Sequence, residues 1–396
     1  MAKSTSSITS TVHRRSVFDR IGKINKDDWN EVAADRNIYL SLDYLEALES
    51  AMKDSIDFFY VISYDENDQP VLVSAFQLVL FEDKRRKYSS HLGKLSCHLK
   101  NKILNPFTIN VMVCGNVFSD GENGFLWKQI TSTEAINEVA LIAEELKEDQ
   151  RIKEKSSITL FKEFWPSSLA HTDNLKEKSY RGFMIDVNMV LKIHESWKTM
   201  EDYLFSMKTK FRTRSKSVYR KSSEIVIREL SSDEIESHSD QINLLFGNVL
   251  EKSEFSFGRL TAEAFVNFKK NLGGRFCLKG FFLNDEMVGF STSFTNNGVL
   301  EANYVGLDYQ FNSDLSVYQR ILYDYVEQSL KSKVGELHLG RTAEVVKSSI
   351  GAIPINMKLY ARHRKSVPNL LLKPIIQSIA PSEFELRKPF KSNFKN

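Results

Sequence analysis

The sequence has 396 residues, of which 42% are hydrophobic and 27% are charged, and this balance is typical of globular proteins. The chain is too long for one ordinary hydrophobic core and suits two domains of about 150–200 residues each. The net charge of +3 is too small to indicate nucleic-acid binding by itself, and no stretch approaches the roughly 20 apolar residues that cross a bilayer.

The three cysteines, Cys97, Cys114 and Cys277, show no metal-ligand spacing. The N-terminal residues are rich in serine and threonine but lack the apolar core of a signal peptide. These observations predict a protein of the reducing cytoplasm, without a metal site and without a permanently bound cofactor.

A first round of predicted elements follows a polar N-terminal arm. Leu42, Leu45 and Leu48 recur at helical spacing, with Ser41 or Asp43 as the N-cap. A later helix is expected to have Ser132 or Thr133 as its N-cap. The full order is a helix over 39–52, strands over 58–65 and 71–81, an apolar run over 107–118, a helix over 133–150, a strand over 156–161, a short helix near 164–175 and a strand over 182–189.

A second round begins with one long helix that enters at Thr199. The order then repeats that of the first round, so the pattern indicates a repeat of topology, with a mixed sheet and flanking helices in each half. The predicted domains are a flexible arm (1–22), an N-terminal domain (23–196), a C-terminal domain (197–365) and a tail (366–396). The elements after the long helix are strand 224–230, helices 238–251 and 261–271, strands 275–285, 286–296 and 300–308, helix 315–333, strand 336–340, a short helix from Thr342 and strand 355–363.

The second round resembles the C-terminal half of Fem-like proteins of the acyl-CoA N-acyltransferase (GNAT) superfamily. The residues that carry the resemblance are Tyr304-Val305-Gly306-Leu307, the helix with Tyr318 and Tyr323, and the stretch from Leu337 to Ala352. The resemblance covers residues 190–365, and the first half agrees in topology. It implies an α/β (α+β) fold of tandem GNAT domains, each with a mixed, mostly antiparallel sheet flanked by helices.

The resemblance also implies an activity, the transfer of an acyl group from acyl-CoA, as co-substrate, or from a related donor. The acceptor would be an amine of a small molecule or of the cell envelope. Acyl transfer needs a base, an oxyanion donor and an acid for the leaving group. Relatives take these groups from their splayed central strands, often as a Glu acting through water and a Tyr as acid. The matching candidates here are Glu301 as base and Tyr304 or Tyr318 as acid.

Asn303 is a candidate substrate contact because it shares a strand face with Glu301, whereas Tyr304 points to the other face. Each of these residues also has a structural interpretation. Glu301 would then be a solvated charge near the start of a strand, and the tyrosines would be core residues with satisfied hydroxyls.

The phosphate loop of ordinary GNAT proteins has no counterpart here, because the segment 306–317 has no glycine after Gly306. Asn312 and Ser313, at the N-terminus of the following helix, are the remaining candidates for binding donor phosphates. Arg341 and Lys347 are further candidates, since they follow a strand that ends at Gly340. A capped turn with a surface ion pair explains the same residues. His338 is either a cleft residue or a structural histidine.

Seven basic residues crowd the long helix, and no acidic residue lies between 203 and 223. Lys208, Arg212 and Lys216 form one i, i+4 row, in which like charges repel. An anionic partner, such as CoA, tRNA or a lipid head group, would relieve this repulsion, and a solvated face is the alternative. A second basic cluster covers residues 84–87.

Two alternatives to an acyl-CoA-dependent enzyme stay open from the sequence. One is a Fem-like transferase that takes its aminoacyl group from tRNA, which the basic helix and the missing glycine loop favour. The other is a non-catalytic binding module derived from the GNAT fold. Neither DNA binding nor a transmembrane segment is expected.

Overall fold

The computed structural model describes residues 12–83, 108–153, 155–184, 187–252, 255–256, 259–366, 369 and 384–394. The basic cluster at residues 84–87 lies outside these ranges. None of the described helices is long and apolar enough to cross a membrane.

Among the described residues, nine strands form the first sheet, in the order β1-β2-β3-β4-β6-β16-β7, with β5 and β10 also paired to β3. All pairs are antiparallel except β4 and β6. The strands are β1 (Arg14–Phe18), β2 (Asp57–Tyr64), β3 (Pro70–Asp83), β4 (Thr108–Cys114), β5 (Phe125–Trp127), β6 (Ser156–Phe164), β7 (Arg181–Phe183), β10 (Phe255–Ser256) and β16 (Lys358–His363).

Seven strands form the second sheet, in the order β15-β8-β14-β13-β12-β11-β9. Here β13 and β14 are the parallel pair, and the other pairs are antiparallel. The predicted hairpin between β11 and β12 is confirmed, since Asn284 and Asp285 both adopt positive φ, as a tight turn requires. The strands are β8 (Val187–Lys192), β9 (Val226–Glu229), β11 (Phe276–Leu283), β12 (Glu286–Asn296), β13 (Val299–Leu307), β14 (Glu336–His338) and β15 (Ile353–Asn356).

The two sheets exchange strands. The strand β16 follows the second sheet in sequence but pairs with β6 in the first sheet. The strand β8 precedes residue 197 but pairs with β14 and β15 in the second sheet. The sequence predicted one strand over 182–189, which is wrong, because β7 and β8 lie in different sheets. The prediction of a flexible arm is wrong for Arg14–Phe18, which pairs with β2 along its whole length.

Thirteen α-helices flank the sheets in the described part of the chain. Ser41 caps α2 as predicted, and Thr131, one residue before the predicted candidates, caps α3 with a reciprocal bond to Glu134. The helices are α1 (Lys26–Ala33), α2 (Leu42–Met52), α3 (Ser132–Leu146), α4 (Gln150–Lys153), α5 (Leu169–Thr172), α6 (Met200–Ser206), α7 (Thr209–Lys221), α8 (Ser232–Ser237), α9 (Ser239–Leu250), α10 (Ala262–Leu272), α11 (Tyr309–Leu315), α12 (Val317–Lys331) and α13 (Glu344–Ser349).

The predicted long helix from Thr199 is two helices, α6 and α7. Thr199 caps α6 as expected, but Met207 and Lys208 are extended. The reason lies far away in sequence: Met207 bridges Phe390, and the Lys208 N–H donates to Pro389 O at 2.8 Å. The segment 384–394 thus crosses the junction of α6 and α7, with Phe390 buried.

A shared aromatic core joins the two halves. Tyr44 of α2 stacks on Phe268 of α10 with ring centroids 5.0 Å apart, and it packs edge-on against Phe294 of β12 at 5.6 Å. Buried aromatic area of this kind dominates core energetics. The packing holds the turn before α2, which carries Tyr39, against the second sheet.

Candidate active site between the two halves

The central parallel pair of the second sheet diverges after three residues. Pairing between β13 and β14 ends where Glu301 lies opposite His338, whereas β13 continues to Leu307 along β12. Residues 301–305 of this central strand are partly exposed. We call this divergence the second fork. Beyond Glu301 this edge of β13 has no strand partner among the described residues, and we call this unpaired edge the gap.

Glu301 lies at the apex of the second fork and is held by groups from both halves. One carboxylate oxygen accepts a 2.6 Å hydrogen bond from the hydroxyl of Tyr39, and the other accepts one from Asn296 at 3.0 Å. Burial raises the pKa of Glu301 above its ordinary value, although the bonds from Tyr39 and Asn296 and the nearby His338 oppose this rise. Burial therefore makes the Glu301 carboxyl hold its proton more tightly than an ordinary glutamate does.

Asn303 lies two residues beyond Glu301 on β13. Its Nδ2 donates to the Tyr39 hydroxyl at 3.1 Å. Its Oδ1 is buried and has no hydrogen-bond partner among the described residues. Whichever way the amide is oriented, one of its two polar atoms stays unpaired. An orphaned polar atom beside an open strand edge is a feature that a bound ligand would satisfy.

A register shift in β13 sets these directions. Ser291 pairs with Val305, but Ser293 pairs with Ala302, so β13 carries one extra residue. The Tyr304 N–H donates to the hydroxyl of Thr292 at 2.9 Å at this bulge. Glu301 and Asn303 share the Tyr39 hydroxyl, as the predicted common face requires. The Tyr304 ring instead packs against Phe246 and Phe265.

A loop of the first half, residues 115–124, lies against the second fork. Tyr304 donates its hydroxyl proton to Phe118 O. A Cβ atom on Gly340 would lie only 2.9 Å from Asp120 Oδ2, and Gly340 has φ of +69°. Glycine is therefore required here both for its backbone angle and for this close approach. Trp165 packs edge-on against His338, with ring centroids 5.3 Å apart.

The first sheet diverges at the equivalent place, and we call this the first fork. Pairing between β4 and β6 ends with Cys114 opposite Phe161. Charged side chains fill the space beyond. Lys162 is 5% exposed and Glu163 1% exposed, and their charged atoms lie 2.7 Å apart. Lys162 also donates to Ser119 O, and Glu163 accepts from the Gly121 N–H at 3.0 Å.

The charges at the first fork are balanced from the second half. Arg341 contacts Glu163 and lies 3.1 Å from Asp120. Although burial alone would raise the pKa of Asp120, the charges of Arg341, Lys162 and Lys347 hold it below its ordinary value. Burial lowers the pKa of Lys162 well below its ordinary value, and Arg341 lowers it further. The first fork is thus an ion cluster that links the halves.

Two cavities lie in the first half. One of about 130 Å³ borders the first fork and is lined by Cys114, Glu122, Lys162 and Phe164 among others. The other, of about 370 Å³, is lined by mostly polar residues and contains none of the predicted site residues.

Comparison with solved structures defines the fold. The chain is similar to FemX, with a TM-score of 0.55 over 91% of this chain and 100% of that chain, at 10% identity. The fold is Fem-like. The predicted architecture of tandem GNAT domains is thereby confirmed at the level of fold.

Two further structures are similar at lower TM-scores. One is N-myristoyltransferase from Saccharomyces cerevisiae, solved with myristoyl-CoA, with a TM-score of 0.49 at 11% identity over 88% of this chain and 79% of that chain. The other is the C-terminal domain of a putative lysylphosphatidylglycerol synthetase from Agrobacterium fabrum, with a TM-score of 0.48 at 8% identity over 89% and 95%. No protein-family model and no curated protein matches the sequence.

Within this Fem-like fold, the predicted phosphate-binding segment is a helix. Residues 309–315 form α11, and Asn312 Oδ1 accepts the N–H of Tyr318 at 2.9 Å in the first turn of α12. Ser313 donates to Asp314 at 3.1 Å. One N–H of the α12 terminus is therefore already satisfied by Asn312, which acts as a cap. Tyr318 is partly buried on α12, and burial raises its pKa.

Arg341 and Lys347 point inward, toward protein groups. Arg341 binds the carboxylates of the first half, and Lys347 donates to the carbonyls of Gly340 and Arg341. The predicted cap Thr342 is wrong, because Thr342 and Ala343 both have positive φ and no side chain caps α13. The ion pairs of Arg341 lie between the halves, where Arg341 and Asp120 are partly exposed and Glu163 is buried. His338 bonds Glu336 at 2.9 Å.

The basic residues of the predicted anion-binding row lie on α7 or just before it, and α7 is not part of either fork. Lys208 and Lys216 are exposed, Arg212 is partly exposed, and Lys208 Nζ donates to Lys388 O at 3.0 Å. The predicted i, i+4 row that begins at Lys208 is wrong at its first member, because Lys208 precedes α7 instead of lying within it.

Sequence reasoning missed the residues that the first half contributes. Tyr39, Asp120, Lys162 and Glu163 are 262 to 138 positions from Glu301 in sequence, and no local pattern marks them. The adjacent Lys162 and Glu163 in a strand with apolar neighbours were the available signal, since buried charges on a strand are rare unless paired.

Proposed function

We propose that the protein is an acyltransferase that moves an acyl group from acyl-CoA, or a related donor, onto an amine. The observation that carries the proposal is the second fork: an unpaired edge of a central strand with Glu301 at its apex and the orphaned amide atom of Asn303 beside it. The acyl donor would lie along β13, and the acceptor would enter between the halves. A small molecule or an envelope component is the acceptor class we favour.

Glu301 is the group that we assign as base. The amine nitrogen attacks the donor carbonyl, a C–N bond forms, and the bond to the leaving sulfur or oxygen breaks. The amine proton passes to Glu301, directly or through water. A carboxylate with a raised pKa accepts a proton more readily near neutral pH than an ordinary one. The bond from Tyr39 orients the carboxylate toward the gap.

Tyr304 and Tyr318 are the two candidate acids for protonating the leaving group. Burial raises the pKa of both hydroxyls above the ordinary tyrosine value. Both therefore hold their protons at neutral pH, as an acid must before the leaving group departs. The Tyr304 hydroxyl donates to Phe118 O, so this bond must break before Tyr304 can protonate a leaving group.

The nature of the donor is the open part of the proposal. Asn312 occupies one N–H of the α12 terminus where ordinary GNAT proteins hold the pyrophosphate. This contact favours a second candidate, in which the donor is an aminoacyl ester carried by tRNA. A non-catalytic binding module is the third candidate. Arg341 and Lys347 are committed to protein contacts, so we propose no phosphate contact for them. Cytoplasmic location stays a prediction.

The first test is thermal stability of the purified protein with a panel of acyl-CoAs, at low and moderate salt. A ligand at 100 times its Kd stabilises the native state by about 2.7 kcal/mol. A shift with CoA species supports the thioester donor. If the thermal midpoint does not change with acyl-CoAs but rises with aminoacyl-tRNA, and that rise weakens steeply with salt, the donor is assigned as the aminoacyl ester. No shift with either class, and no turnover with an amine panel, overturns the enzyme.

A further inference from the structure

The exposed face of α7 is a surface that the proposed acyl transfer does not use. Its buried side is fixed to α12, where the hydroxyls of Ser215 and Tyr323 lie 2.6 Å apart and Arg320 lies over the Tyr219 ring. The opposite side carries the small hydroxyl residues Thr209, Thr213 and Ser217. Basic side chains flank this stripe on both sides, Lys210, Arg214 and Lys221 on one and Arg212 and Lys216 on the other, and Arg220 lies in line with the stripe at its C-terminal end.

These charges are not explained by the stability of the helix. None of the flanking basic side chains forms an ion pair with any described residue. Pairs such as Lys210 and Arg214 repel at i, i+4 spacing. Basic residues in the first turn also oppose the helix dipole, and that turn has no acidic residue. The arrangement therefore costs stability unless an anionic partner is present.

An aromatic side chain stands beside the charges. Phe205 of α6 is 66% exposed, and Lys391 Nζ lies 3.9 Å from its ring centroid. The segment 384–394 adds the exposed Lys388 to the same corner, since it is held there by the Lys391 N–H donating to Ser206 O at 2.9 Å. An exposed aromatic ring surrounded by cations is the arrangement of an interfacial anchor.

We propose that α7 with Phe205 is a docking surface for an anionic lipid bilayer. The small hydroxyl stripe lets the helix approach a flat surface closely, so that the flanking Lys and Arg side chains on both sides reach head-group phosphates together. Phe205 enters the interfacial layer at one end. A nucleic acid duplex would also attract the charges, but its bases are already stacked on one another and leave no face for an isolated, exposed phenyl ring. The bilayer accounts for both features.

The experiment is co-sedimentation of the full-length protein with vesicles of phosphatidylcholine alone, or with about one third phosphatidylglycerol. We expect binding to the anionic vesicles only, weakening as salt rises from 0.05 to 0.3 M. Replacing Lys210, Arg214, Lys216 and Arg220 by alanine is expected to weaken binding at least about tenfold. Phe205→Ser is expected to weaken it about threefold.

The matched control removes four exposed lysines elsewhere, at Lys26, Lys53, Lys192 and Lys333, with the same change in net charge. All the replaced side chains are exposed, and unchanged thermal midpoints verify folding. The proposal is overturned if the control weakens binding as much as the α7 variant, or if both vesicle types bind equally. It is also overturned if a structured RNA binds more tightly than the vesicles and Phe205→Ser leaves that binding unchanged.

Discussion

The two forks occupy equivalent places in two sheets of the same fold, but their interiors are of different kinds. At the first fork, Lys162 and Glu163 fill the gap and are paired across to Arg341. At the second fork, Glu301 has hydrogen bonds but no paired cation within 4 Å among the described residues, and the strand edge beyond it is partly exposed. The ion pairs at the first fork link the two halves, and the second fork is where we propose that a ligand binds.

The opposite pKa directions express this difference. Neighbouring cations hold the pKa of Asp120 at the first fork down, so this carboxyl is stabilised in its charged form. At the second fork, burial outweighs the hydrogen bonds and the nearby His338, so the pKa of Glu301 is raised. Structural ion clusters and catalytic carboxylates both perturb pKa values, so the direction alone assigns no role to either carboxyl.

The largest effect is expected from breaking the filled fork. Glu163→Ala removes the anion that contacts Lys162 and Arg341, which leaves the buried Lys162 and the partly buried Arg341 with less negative charge beside them. We expect the free energy of unfolding to fall by about 3–5 kcal/mol, measured by urea denaturation. Glu66→Ala, an exposed residue in the β2–β3 turn, is the control and is expected to change it by less than about 0.5 kcal/mol. Equal small effects in both variants would show that the cluster does not stabilise the contact between halves.

The second prediction concerns the open fork. Glu301→Gln keeps the size of the side chain but removes the base, so we expect the rate of acyl transfer to fall at least about 100-fold. Release of the donor thiol in the presence of amine measures this. Glu336→Gln is the matched control, because Glu336 lies at the same fork and pairs only with His338. A rate in the Glu301 variant within threefold of the control would remove Glu301 from the mechanism.

The sequence was sufficient for the local structure and for the face that carries Glu301 and Asn303. The caps Ser41 and Thr199 and the turn at Asn284-Asp285 were predictable because their signals lie within a few residues. The break between α6 and α7 was not, because the chain there has neither Gly nor Pro. The bonds that break the helix come from Phe390 and Pro389, far along the chain.

The composition of the site was predictable only for the second half. Glu301 was identified by its place in a strand that resembles Fem-like proteins. Its partner Tyr39 arrives through the packing of α2 on α10, and such tertiary contacts leave no periodicity in either segment. Arg341 was singled out as a candidate phosphate contact, but its partners lie in a loop and a strand of the other half, so its contacts between the halves were not apparent.

A smaller, more specific effect is expected at the contact between the halves. Tyr39→Phe deletes the hydroxyl that donates to Glu301, and that bond lowers the Glu301 pKa. Bonds to charged groups contribute about 1.5–3 kcal/mol, so the ascending limb of the rate–pH profile is expected to move up by about 1–2 pH units. The control is Tyr44→Phe, whose hydroxyl bonds Asn116 instead. Equal profiles for the two variants would mean that Tyr39 does not act on Glu301.

The smallest effect is a pH dependence of stability that distinguishes the forks directly. Because the pKa of Glu301 is raised by burial, the native protein binds its proton more tightly than the unfolded chain. The stability that this proton contributes is complete below the unfolded pKa, about 4.3, and is lost as pH rises through the native pKa. Wild type is therefore expected to lose thermal stability relative to Glu301→Gln as pH rises from 4 toward 7. All other carboxyls cancel in this difference, since they titrate in both proteins.

The opposite slope would be equally informative. If the thermal stability of wild type increases relative to that of Glu301→Gln as pH rises, the bonds from Tyr39 and Asn296 outweigh burial. Glu301 is then a carboxylate stabilised in its charged form, as Asp120 is. The second fork would then be a structural junction like the first, and Glu301 would no longer be assigned as the base of the proposed acyl transfer.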